Sequence, residues 1–262
     1  MSRKTFTCDK SELVIDLFGA QIYSFRTFSA GEFFFQSVLG AAHAGIPLCA
    51  PWFGVGQNGA SHPHTHGLVK RALWKLVKED VSAEEIKLEL ALKSADLADL
   101  PGFSGYEGLD YRLFVTANET LQLKLCFSAS QEVSVDAAFH TYFAISLPAE
   151  VNLAPSIQRN YVANTEGSFA GNFLVAGYRD SVFLGGAKNP IVLANDERSF
   201  TITSDAPDAV VWNPGKNDSR LAPGEWQQFV CVETGAIQDN ALLLHAGEQK
   251  EISVEIALKL NS

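Results

Sequence analysis

The chain has 262 residues, 47% of them hydrophobic, with 18 Phe, 4 Trp and 6 Tyr; a chain of this size and composition buries a sizeable core, which excludes disorder. Its formal charge is −10, from 20 basic and 30 acidic residues. No run of like charge exceeds a few residues, so there is no basic stripe for nucleic acid and no cationic amphipathic face for a membrane, and the expected partner is a neutral or small anionic molecule.

The N-terminus MSRKTFTCDKSEL carries charge with no apolar stretch behind it, and 18 consecutive apolar residues occur nowhere. A soluble, unexported, cytoplasmic protein, working as a monomer, is expected. Cys8, Cys49, Cys126 and Cys231 are far apart and form no CxxC pair, so they read as reduced thiols rather than a zinc site or a disulfide framework.

Along the chain, LVIDLFGAQIYSF is a β-branched and aromatic run broken by a glycine turn. The stretch from Gly45 to Leu76 then places His62, His64 and His66 within five positions. Extended, they would share one side, but Pro63 disfavours a paired central strand and no carboxylate or cysteine nearby completes a ligand set. Metal binding, a loop with one useful histidine, and no role at all are the three readings. EEIKLELALK alternates strictly, with Ile86, Leu88, Leu90 and Leu92 on one face, the period-2 signature of a half-buried strand. SADLADL has the spacing for one or two helical turns. YRLFVTA and TLQLKLCF flank Asn118 and Glu119, which suits a hairpin. SFTIT adds a further run, and EISVEIALKL alternates again from Ile252 to Leu260. Many strands, few helices and no linker predict a large antiparallel β-sandwich, with residues 1–262 as one domain.

Three polar residues interrupt apolar segments. Glu233 follows Phe229, Val230, Cys231 and Val232; it is either a strand-end residue facing water or a carboxylate that must be paired, hydrated or raised in pKa. His140 sits among Phe139, Tyr142 and Phe143, as a structural core histidine or a working one. Asp180 precedes the strand-like SVFL and reads equally as a turn residue.

Taken in order, GIPLCAPWFG, HGLVKRALW, FHTYFAI, YRDSVFL, VVWNPG and FVCVETG resemble the galactose mutarotase-like superfamily, and most closely its hexose-6-phosphate mutarotase branch, of the aldose 1-epimerase type. The resemblance implies an antiparallel β-sandwich with a sugar cleft across one face. It implies Glu233 as catalytic base, His140 as catalytic acid, and His66, Asp180 and Trp52 as substrate contacts, leaving His62 and His64 on the loop surface. It also implies proton transfer at the two sides of the anomeric carbon, without metal or cofactor.

The phosphate-specific branch carries arginine two positions before Gly-Ile-Pro and four after the histidine of His-Gly. This chain has His43 and Lys70 there. A lysine offers a point charge where arginine offers a fork, so Lys70, with Arg71 beside it and His43 opposite, is expected to give a weakened anion contact. The expected function is anomer exchange on a hexose or hexose 6-phosphate. The competing readings are a non-catalytic sugar-binding or regulatory protein and a metal-dependent sugar enzyme using the histidine loop.

Overall fold

A computed structural model describes residues 2–40, 43–56, 61–160 and 165–261. Among the described residues every ladder between two strands is antiparallel, and a single parallel bridge joins Ala50 to Gly67. A 15-stranded sheet dominates; a four-stranded sheet spans residues 3–32, and a two-stranded ribbon joins Val133–Val135 to Leu242–Leu244.

The alternation read in the sequence becomes rows of contacts. Leu90 pairs with Leu113, Leu113 with Leu125, and Leu125 with Ile252, so four neighbouring strands present one apolar row to the core. Such cross-strand rows fix register, because a slip of one residue would turn every leucine outward. The strands Leu109–Ala117 and Leu121–Ala129 form the expected hairpin over Asn118. The long sheet folds back on itself. Strand Phe229–Ala236 contacts Gln249–Leu260, several places away in sheet order, and Val230 and Val232 join Leu90, Leu125 and Ile252 in one buried cluster. The result is an all-β sandwich.

SADLADL forms a single helical turn as expected, of 3₁₀ type, over Ser94–Leu97. Two readings change. Leu260, expected to face inward, lies at the end of its strand with 48% of its surface exposed. Glu233 is not at a strand end: the strand continues to Ala236, and all eight of its residues are buried. Alternation explains its position. Val230 and Val232 point into the main core, while Phe229 and Cys231 join a separate cluster with Phe35, Tyr142 and Leu221 on the opposite face. Glu233 belongs to that second face, where a cleft opens. Among the described residues, no helix is long and apolar enough to cross a membrane.

Candidate active site

His140 reaches the cleft because its strand is interrupted. Ala137–Phe139 and Tyr142–Ala144 both pair with Phe229–Ala236, but between them the backbone N–H of His140 leaves the ladder and donates to the carbonyl of Pro47 at 3.0 Å. Tyr142 N–H likewise donates to Gly45 at 2.9 Å, so the Gly-Ile-Pro segment docks on the break. Gly45 is needed there: its φ is +59°, and a Cβ would stand 1.9 Å from the carbonyl oxygen of Ile22.

The break sets the imidazole of His140 against Glu233, with Nε2 3.3 Å from Oε1. Tyr142 stacks on the imidazole at 4.9 Å, nearly parallel, and His66 meets it edge-on at 5.3 Å. Both partners are buried, and Nδ1 of His140 and Oε2 of Glu233 have no hydrogen-bond partner among the described residues. Burial pushes the carboxyl of Glu233 well above its ordinary range, the charge of Asp180 adds to this, and Lys70 opposes it. Burial likewise holds His140 well below the usual imidazole value, reinforced by His66 and Lys70. Both shifts disfavour charge, which favours a pair that carries a single proton between its two members.

His66 is held in the left-handed region, φ +60°. Its N–H donates to the carbonyl of Gly54 at 2.7 Å, and its Nδ1 accepts the Gly54 N–H at 3.4 Å. That assigns the ring proton to Nε2. Burial pushes its pKa down to about 3, so the ring is neutral at neutral pH. Lys70 lies half-buried in the turn Val69–Arg71, its pKa lowered by burial. Asp180 is half-buried opposite Trp212, and burial raises its carboxyl.

Glu233, His140, His66, Asp180, Lys70 and His43 all line one cleft of about 510 Å³. Trp52 does not line it. Its indole is 1% exposed, stacks on His62 at 3.8 Å and donates to the carbonyl of His64 at 2.8 Å. Trp52 is thus the anchor of the histidine loop, with His62 on its indole and His66 in the cleft; among the described residues no three metal-ligating side chains converge. Arg71 lies outside the cleft, its Nε buried and without a hydrogen-bond partner among the described residues.

Two cleft residues escaped the sequence reading. Asp136 accepts the N–H groups of Phe53 at 3.1 Å and Gln238 at 2.8 Å, joining two cleft walls. Arg220 lines the rim from the loop after Trp-Asn-Pro. Neither carries a pattern signal: Asp136 is a lone acid in an apolar run, and Arg220 sits in the polar stretch NDSR.

An antiparallel sandwich of this kind is the galactose mutarotase-like fold. The chain belongs to the aldose 1-epimerase family, a family of isomerases, whose model matches residues 5–257. It is 28% identical to a Haemophilus influenzae protein named "Putative glucose-6-phosphate 1-epimerase", over 84% of this chain and 74% of the relative. It is 26% identical to a Cenchrus ciliaris protein of the same name, over 90% of this chain and 78% of the relative. Among solved structures it resembles a "putative mutarotase (YeaD)" from Salmonella typhimurium, with a TM-score of 0.86 and 19% identity over 98% of this chain and 90% of the other.

Proposed function

We propose that the cleft interconverts the α and β anomers of a hexose or hexose phosphate, with Glu233 and His140 as base and acid. The observation that carries this is their direct contact, 3.3 Å apart and buried at the cleft wall. The sequence reading put acid and base on opposite sides of the anomeric carbon. Adjacent groups serve as well, because the hydroxyl O1 and the ring oxygen O5 are bonded to the same carbon.

In the productive state the shared proton is on His140. Glu233 removes the proton of the O1 hydroxyl, the C1–O5 bond breaks to leave the aldehyde, and His140 delivers its proton to O5. The pair now holds its proton on Glu233. After rotation about C1–C2, the O5 hydroxyl attacks the other face of C1, its proton returns to His140, and Glu233 protonates O1. Atoms and protons balance over the cycle; burial disfavours charge on both groups, so it favours the form with the proton on Glu233, which the cycle reaches at the open-chain stage, over the one with it on His140. His66, neutral with Nε2–H, is suited to donate to a sugar hydroxyl, and Asp180 to accept from one. Family membership and the names of the relatives support a sugar substrate.

The test is two-dimensional exchange NMR of anomeric protons with a panel of free and 6-phosphorylated aldoses. Exchange well above the buffer rate is expected for at least one hexose. Buffer rates with the whole panel would overturn the reading.

A further inference from the structure

Arg220 sits on a loop that several buried groups hold in place. Asn213 donates to the carbonyls of Trp226 and Phe229, both at 2.8 Å, and accepts the Gly215 N–H at 2.9 Å. Glu225, 5% exposed, accepts from the Ser37 hydroxyl, the Val38 N–H and the Ala222 N–H. Within the loop, Asp218 takes the side edge of the guanidinium: Nε donates to Oδ1 at 2.8 Å and Nη2 to Oδ2 at 2.6 Å. His43, 1% exposed, lies 3.2 Å from the same Oδ2 through Nε2. Arg220 holds the Asp218 carboxyl far below its ordinary range, so Asp218 is the acceptor and His43 the donor.

This arrangement leaves the outer edge of the guanidinium open. Nη1 and the second Nη2 proton have no partner among the described residues, the side chain is 62% exposed, and the residue lines the cleft. An arginine fixed along one edge and open along the other is a preformed fork for a two-oxygen anion, with little entropy left to lose. It stands beyond Tyr142 and His43 from the acid/base pair: the His140 and Tyr142 rings are 4.9 Å apart and the Tyr142 and His43 rings 5.6 Å. Lys70 is placed differently: it lines the same cleft and its charge acts on Glu233, His140 and His66 together, which puts it at the acid/base end.

We propose that Arg220, positioned by Asp218 and His43, is the anion anchor of this cleft and selects hexoses carrying a phosphate monoester at the end remote from C1. This rests on the mutarotase reading above. It also reassigns the anion contact, which the sequence placed at Lys70, to a residue on another loop.

The experiment compares anomer exchange of glucose and glucose 6-phosphate in the wild type, Arg220→Gln, Arg220→Lys and Lys70→Met, together with inhibition by inorganic phosphate. The expected result is a wild-type preference for the phosphate, a fall in that preference of roughly 10-fold or more in Arg220→Gln through KM, and partial retention in Arg220→Lys. Inhibition by inorganic phosphate should weaken in parallel, whereas Lys70→Met should affect both sugars alike. Wild-type turnover of glucose with no preference for its phosphate would overturn the anchor and leave the mutarotase reading standing. So would an Arg220→Gln variant that keeps the wild-type preference, or a Lys70→Met variant that alone loses it. Absence of exchange with either sugar would overturn the anchor as stated, and buffer rates across the whole aldose panel would remove the mutarotase reading with it.

Discussion

Nε2 of His140 and Oε1 of Glu233 lie 3.3 Å apart with both side chains buried, so the two are coupled in titration, and in the proposed cycle the pair works with one proton. Burial keeps His140 below the ordinary 6.5 and Glu233 well above the ordinary 4.5. The pair therefore resists a second proton until the pH falls below the imidazole range, and keeps its one proton well above the carboxylate range. The pH profile of kcat should be a broad plateau across neutrality. Asp180→Asn removes a charge that raises Glu233, so its alkaline limb should move to lower pH. An alkaline limb unmoved in that variant would show that Asp180 and Glu233 are not coupled.

Stability should carry the opposite mark of the same burial. A carboxyl raised in the folded state binds its proton more tightly there than in the unfolded chain. Its stabilising contribution is full below the unfolded value and is lost as pH rises through the folded one. Glu233→Gln, which keeps the shape and can donate to His140, should therefore melt higher than wild type at about pH 8, with the gain shrinking towards about pH 4. Thermal denaturation across that range checks the trend. A gain that grows on acidification would contradict it.

Gly67 carries the His-Gly motif for a steric reason. Its φ is +77°, and a Cβ there would lie 1.9 Å from the carbonyl oxygen of Ala50, the same oxygen that accepts the Leu68 N–H at 2.8 Å. Gly67→Ala should cost about 2 kcal/mol or more. Because the loop moves to relieve the clash, His66 and Lys70 shift too, and kcat/KM should fall at least about 10-fold. Urea denaturation and steady-state kinetics check both; wild-type values in both would show that the loop yields elsewhere.

The strands were legible wherever one face meets water, as at Ile86–Leu92, since alternation then marks the buried side. The end of Phe229–Ala236 is not legible in the sequence, because both its faces are covered, which erases the period. In the fold Gly235 lets a neighbouring strand approach: a Cβ there would stand 2.5 Å from the carbonyl oxygen of Ala137. Site residues inside motif-like runs, such as His140 and His66, could be named. Asp136 and Arg220 could not, because their positions depend on long-range pairing between Phe53, Gln238, His43 and Asp218. The resemblance implies Trp52 as a substrate contact, but its indole turns to the histidine loop.

The histidine loop makes a further prediction. Since His62 stacks on Trp52 while His66 turns into the cleft, no ligand set converges among the described residues, and the proposed steps use only proton transfer. Dialysis against EDTA should leave kcat unchanged. Loss of activity that one added divalent metal restores would revive the metal-dependent alternative.

The most direct test follows magnetisation exchange between the α and β anomeric protons of the best substrate at equilibrium, in wild type, Glu233→Gln and His140→Asn. The paired acid and base predict that each variant, with wild-type circular dichroism and a cooperative melt, slows exchange at least about 100-fold. Rates within a few-fold of wild type in both variants would contradict it.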